Sequence, residues 1–200
     1  MGLVSVAHAQ LPHLSRFSVV GGGNLTEAVT SQINNITYGQ GLGLELGVLV
    51  EIEARSKTFS FETGMLYQKK NVTSLTSGSD VTYHENFNDL EVPLIFRARL
   101  NRVFSLGLGS YLDYGLGNIN ETSSNGSSNT SFSEENLVRL DYGLIGSVRY
   151  DLLSRFFVDA RFHLGLENLS GATGTSFKFN AFQILLGFYF DGPLVPGFSR

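Results

Sequence analysis

The side chains able to do chemistry in this 200-residue chain are carboxylates, guanidiniums and a few histidines, because cysteine is absent. Read with a two-residue period, most of the charged ones fall on one face of a series of segments. Glu51, Glu62, Arg97, Arg99, Arg149, Asp159 and Arg161 lie near short connections between those segments. Glu45, Asp89, Glu91, Asp113, Arg139, Asp141 and Glu167 lie near long ones. The first group is mixed, with four bases against three acids. Buried charges persist only when paired, so it reads as a salt-bridged interior cluster. The second group has one base against six acids, and Glu27, Asp80, Glu85, Glu121, Glu134 and Glu135 add acid in the adjoining connections. Asp89, Glu91, Asp113, Asp141 and Glu167 are therefore candidates for an acidic mouth that binds a divalent or organic cation.

Other chemistry finds less support. A hydrolase or acyltransferase needs a Ser or paired Asp near a His. His84 shares a long connection with Asp80 and Glu85, a combination that a polar loop of this length contains by chance. No catalytic residue, resident metal or cofactor is expected. His163 alternates onto the face of Asp159 and Arg161 and reads as a packed, hydrogen-bonded residue. Gly21-Gly22-Gly23 leads into no helix, so it is a packing element and not a phosphate cradle. A net charge of −4 gives no support for nucleic-acid binding, which needs a basic face.

The segments that carry these residues are strands. Charged residues make up 16%, against about 25% in ordinary soluble domains, and 23 glycines stand well above the usual ~7%. Hydrophobic residues reach 42%, which excludes disorder, and the lack of cysteine excludes a disulfide scaffold. No apolar stretch approaches the about 20 residues of a helical span; Val103–Leu112 and Phe179–Phe190 are the longest. In Leu42–Ile52, Leu42, Leu44, Leu46, Val48, Val50 and Ile52 alternate with Gly43, Glu45, Gly47, Leu49 and Glu51. The same dyad recurs at Leu90–Leu100, Phe104–Leu116, Val138–Tyr150 and Phe156–Leu166. Phe17–Gly23, Phe59–Tyr67 and Phe182–Phe190 complete a set of eight.

A soluble sandwich would set Lys and Glu on the exposed face, but this chain has glycine beside charges of both signs. Turning the sheet inside out accounts for that, with aliphatic and aromatic side chains toward lipid and paired charges within. Strands of this length can cross the hydrocarbon at a tilt, and lipid tolerates no open sheet edge, so the sheet must close. The connections Asn24–Gly39, Lys70–Asn88, Asn118–Leu137 and Leu169–Phe179 are long. They alternate with the short joins Glu53–Lys57, Asn101–Val103 and Asp151–Arg155. Long extracellular loops and short periplasmic turns are the mark of an outer-membrane barrel.

Six segments carry a resemblance to a known family. They are Phe61–Lys70, Asp89–Arg97 (with Leu90-Glu91-Val92-Pro93-Leu94), Gly107–Leu112, Asp141–Leu144, Asp159–Leu166 and Phe182–Phe190. In order and spacing the chain resembles the PorT-like outer-membrane β-barrels of Gram-negative bacteria. The resemblance implies a barrel in the outer membrane, usually without a known activity. It also implies delivery by the barrel-assembly machinery, whose C-terminal aromatic signal is matched in part by Phe188 and Phe190.

The sequence is thus read as all-β, an eight-stranded antiparallel up-and-down transmembrane β-barrel over residues 10–190. Residues 1–9 read as a signal-peptide remnant ending in Ala7-His8-Ala9, and 191–200 as a periplasmic tail. The expected function is non-enzymatic: four long extracellular loops displayed for adhesion, partner binding or an accessory role in envelope transport. Expected partners are outer-membrane lipid, the assembly machinery and an extracellular or envelope protein, with no nucleic acid. Two alternatives remain open: a soluble lipocalin-like barrel with its aliphatic faces inward around a small hydrophobic ligand, and a pore of ten or more strands with a further pair hidden in Asp80–Asn88.

Overall fold

The computed structural model describes residues 15–31, 36–54, 56, 58–76, 82–116, 120–123, 140–152, 155–168 and 176–190. Among them every regular element is a strand: β1 (Ser15–Ser31), β2 (Ile36–Glu53), β3 (Phe59–Thr76), β4 (Thr82–Arg99), β5 (Phe104–Gly115), β6 (Asn120–Ser123), β7 (Leu140–Asp151), β8 (Phe156–Gly165) and β9 (Ser176–Phe190). Each pairs antiparallel with its neighbours, and β9 returns to pair with β1, closing the sheet. β5 and β6 both pair with β4, the first along Asp89–Arg99 and the second along Tyr83–Asn86. They form one interrupted stave, so the barrel has eight staves. Thr82–Asn88 of the segment expected to hide an extra pair belongs to β4, and the sheet closes with eight staves, which removes the ten-stranded alternative. The leader at 1–9, the tail at 191–200, Asp80, Arg139, Glu134 and Glu135 lie outside the described residues.

The wall is inside out. Leu44 and Leu108 are each 71% exposed and Phe162 is 51% exposed, while Arg97 and Arg161 are buried to 1% and 0% exposure. That orientation excludes the lipocalin-like alternative, whose aliphatic faces would point inward. Aromatic rings border the apolar band, as the amphipathic rings of a membrane barrel do. At the short-turn end Phe17 packs on Phe190 at 5.8 Å, Phe104 on Tyr150 at 4.8 Å and Phe156 on Phe188 at 5.1 Å between ring centroids. Toward the other end Tyr67, Tyr114 and Tyr142 are exposed on the outer face. The short turn after β4 is held by Asn101, whose Oδ1 accepts from the Val103 and Phe104 amides at 2.9 and 2.8 Å.

Strand lengths differ from expectation. Asn24–Ser31, Ile36–Gly39, Lys70–Thr76 and Thr82–Asn88 were assigned to loops by their polar composition, yet they are strand. Beyond the lipid both faces of a strand can be polar, so the alternation fades while backbone pairing continues. Among the described residues β1 to β4 run 17 or 18 residues and β9 15, whereas β8 runs 10.

The interior is more apolar than the charge pattern implied. Val20, Leu49, Leu66, Phe157, Leu185 and Tyr189 form one buried cluster, and Ile95, Tyr111 and Ile145 another. Phe157 lies across β9 where Gly187 leaves room, since a Cβ there would come within 2.0 Å of its Cζ. Small inward residues thus let large ones cross a narrow bore.

Candidate functional site

The interior of the barrel is a stack of layers, ordered along β3 from the short-turn end as Glu62, Leu66, Gln68, Lys70 and Val72. The lowest is a ring of ion pairs at the rim. Glu53 accepts from Arg16 at 3.2 Å and Arg99 at 3.3 Å, with both guanidinium chains partly exposed. Arg99 was expected in the interior cluster; its place near the strand end puts it in this rim pair instead. Exposed pairs of this kind are worth about 0–1 kcal/mol each.

Above the rim, β2, β3, β4, β7 and β8 bring the remaining interior candidates together. Asp159 Oδ2 accepts from Arg97 at 2.7 Å, Arg149 at 2.8 Å and Arg161 at 3.0 Å. Glu62 accepts from Arg97 at 3.0 Å and Arg161 at 2.8 Å, and also from Arg149. Glu51 accepts from Arg149 at 3.3 Å and from the Ser60 hydroxyl at 2.6 Å. Three guanidiniums thus meet three carboxylates, all at 5% side-chain exposure or less. Charge-assisted bonds of this kind are individually strong, and they offset a desolvation penalty that only a matched set can meet. The Arg149 guanidinium also stacks over Phe157 at 4.0 Å.

The five candidates for an acidic mouth are not gathered into one site. Lys70 Nζ sits between Asp113 at 2.5 Å and Asp89 at 3.0 Å, so a tethered ammonium already holds the place a cation would take. Asp141 accepts from the Tyr111 hydroxyl at 3.3 Å. Glu91 lies deeper, bonded by the Gln68 amide and approached by Gln183 Nε2 at 3.5 Å and His163 Nδ1 at 3.6 Å. Glu167 bonds the hydroxyl of the outward-facing Tyr142, which sets it on the outer surface. Among the described residues, no three His, Cys, Asp or Glu side chains come together to hold a metal ion. Over Lys70, Ala28, Val72 and Phe179 form an apolar cluster with Phe87 packed on it, the two rings 5.3 Å apart.

Sequence reasoning missed Lys70, which was read as the first residue of a loop. Its parity with Glu62 and Gln68 on β3 was the available signal. His163 is buried as expected, its ring tilted against that of Tyr111 at 4.9 Å, while its Nε2 has no hydrogen-bond partner among the described residues.

A closed eight-stave wall with an apolar outside and an ionic inside is the architecture of a membrane barrel. Residues 8–171 match the family described as outer membrane protein beta-barrel domain. The chain belongs to that family. Its place is the outer membrane, in contact with lipid. Among solved structures, neisserial surface protein A (NspA) superposes with a TM-score of 0.54 at 11% identity, over 87% of this chain and 97% of that one. The outer membrane protein OprG from Pseudomonas aeruginosa gives 0.50 at 11% identity, over 88% and 97%. Both likenesses concern the fold. No curated protein sequence matches this outer-membrane barrel.

Proposed function

We propose that this outer-membrane barrel is a non-enzymatic scaffold that carries its connections and tall hairpins on the outer surface of the cell, for adhesion or for binding an envelope or extracellular protein. One observation carries the reading: the bore is filled at successive heights by the arginine layer, the Lys70 pair and the Phe87–Phe179 cap. A filled eight-stranded barrel has no aqueous channel, so what remains to act is the surface raised above the membrane. β1 to β4 supply part of that surface. An accessory role in envelope transport would use the same surface. Within the family the segments Asp89–Arg97 and Phe182–Phe190 support a PorT-like member, and assembly through the barrel-assembly machinery follows from that resemblance.

Two measurements test the reading. Purified protein in planar bilayers is expected to show no step conductance; discrete open channels would contradict the filled bore. Protease added to intact cells is expected to cut within 124–139 while the barrel core survives. Cleavage only after the outer membrane is opened would put that connection on the wrong side.

A further inference from the structure

We propose that the centre of the barrel, between the arginine layer and Lys70, binds one calcium ion through the carboxylates of Glu45 and Glu91 and the amide oxygens of Gln68 and Gln183. This goes beyond the surface role above, and its failure would leave that role intact.

The argument starts from the pairing of charges. Arg97, Arg149 and Arg161 are matched by Glu51, Glu62 and Asp159. Lys70 is matched by Asp89 and Asp113, and Asp141 is held by Tyr111. Among the described residues, no lysine or arginine contacts Glu45 or Glu91. Glu45 is 4% exposed; the Asn24 amide acts on it, yet neither of its carboxylate oxygens meets hydrogen-bond geometry with a donor among the described residues. A carboxyl in such surroundings either takes up a proton or needs a cation beside its ionised form.

The neighbouring orphans point to what that cation is. Glu91 Oε1, Gln68 Oε1 and Gln183 Oε1 are also buried without a partner, in side chains that are 0% exposed. These atoms belong to one level. Glu45 and Gln68 face each other across β2 and β3, while Gln68 and Gln183 both present their amide nitrogens to Glu91. Glu91, Arg161 and Lys70 all lie within electrostatic reach of Glu45. His163 approaches the other oxygen of Glu91, Oε2.

The donor set is therefore five oxygens, from two carboxylates and two amides. Hard oxygen donors without thiolate select against soft transition metals. Calcium takes 6–8 oxygens in flexible geometry, so water completes the shell, whereas magnesium demands a near-ideal octahedron. A divalent ion also neutralises the two carboxylates, of which Glu91 has His163 Nδ1 at 3.6 Å.

The test uses the whole chain, unfolded with chelator and refolded in detergent with or without calcium. Refolded with calcium, it is expected to retain one bound ion by metal analysis. Its melting temperature is expected to rise by about 5–10 °C at a hundredfold excess over Kd, with magnesium giving less. Glu45→Gln and Glu91→Gln are each expected to fold and to lose both signals, while Asp141→Asn keeps them. Absence of bound calcium and of any shift in the unmodified protein would overturn the proposal, whatever the variants do. An equal shift in the unmodified protein and Glu45→Gln would overturn it too, because calcium would then be binding elsewhere.

Discussion

Asp159→Asn is expected to destabilise the folded barrel by about 3–5 kcal/mol, the cost of leaving a buried ionic set unmatched. The side chain keeps its shape, so the loss isolates the charge. One Asp159 oxygen accepts from three guanidiniums, and only Glu62 and Glu51 would remain to balance them. Urea titration of protein folded into phospholipid vesicles measures the difference. Combining Asp159→Leu with Arg161→Leu restores the balance of charge and is expected to recover much of what Asp159→Leu alone loses, since residues in one network are not additive. Single and double variants within about 0.5 kcal/mol of the unmodified protein would mean that the layer fills space without being electrostatically coupled.

Lys70→Met carries the second large effect. It removes the ammonium from between Asp113 and Asp89 and leaves a buried carboxylate pair beneath the Phe179 cap. A loss of about 3–5 kcal/mol is expected near neutral pH, because two like charges then share a desolvated site. Protonation of Asp113 removes the penalty, so the gap between variant and unmodified protein should narrow as pH falls. Asp113→Asn together with Lys70→Met is expected to narrow it at neutral pH. A gap that stays constant with pH would show that packing of the Lys70 stem, and not its charge, supports the upper bore.

Both expectations rest on residues of unequal legibility. The lipid-crossing parts of the strands were plain, because only one face meets hydrocarbon and a slip by one residue would put Arg97 or Arg161 into it. The interior ionic layer followed from parity alone: Glu62, Arg97, Arg149, Asp159 and Arg161 were recognised as inward and came together as expected. Lys70 was lost because alternation weakens where the outer face leaves the lipid, so a strand there reads as a loop. Arg99 lies near the short turns as expected, but at the strand's end it pairs with Glu53 at the rim and does not join the three buried arginines. Glu167 was assigned inward by extending the parity of β8 past Gly165, where the strand stops. The apolar bore residues Leu66, Phe157 and Leu185 were hidden by the assumption that an inside-out barrel keeps its grease on the outside.

The chain contains no tryptophan, so a single introduced indole reports on one position without background. Leu44→Trp, Leu108→Trp and Phe162→Trp, compared with Tyr111→Trp, in vesicles whose acyl chains carry bromine, test the orientation of the wall. The first three are expected to emit in the blue and to be strongly quenched, while an indole at 111 stays unquenched within the bore. Quenching confined to position 111, with red-shifted unquenched emission from 44, 108 and 162, would contradict the inside-out barrel.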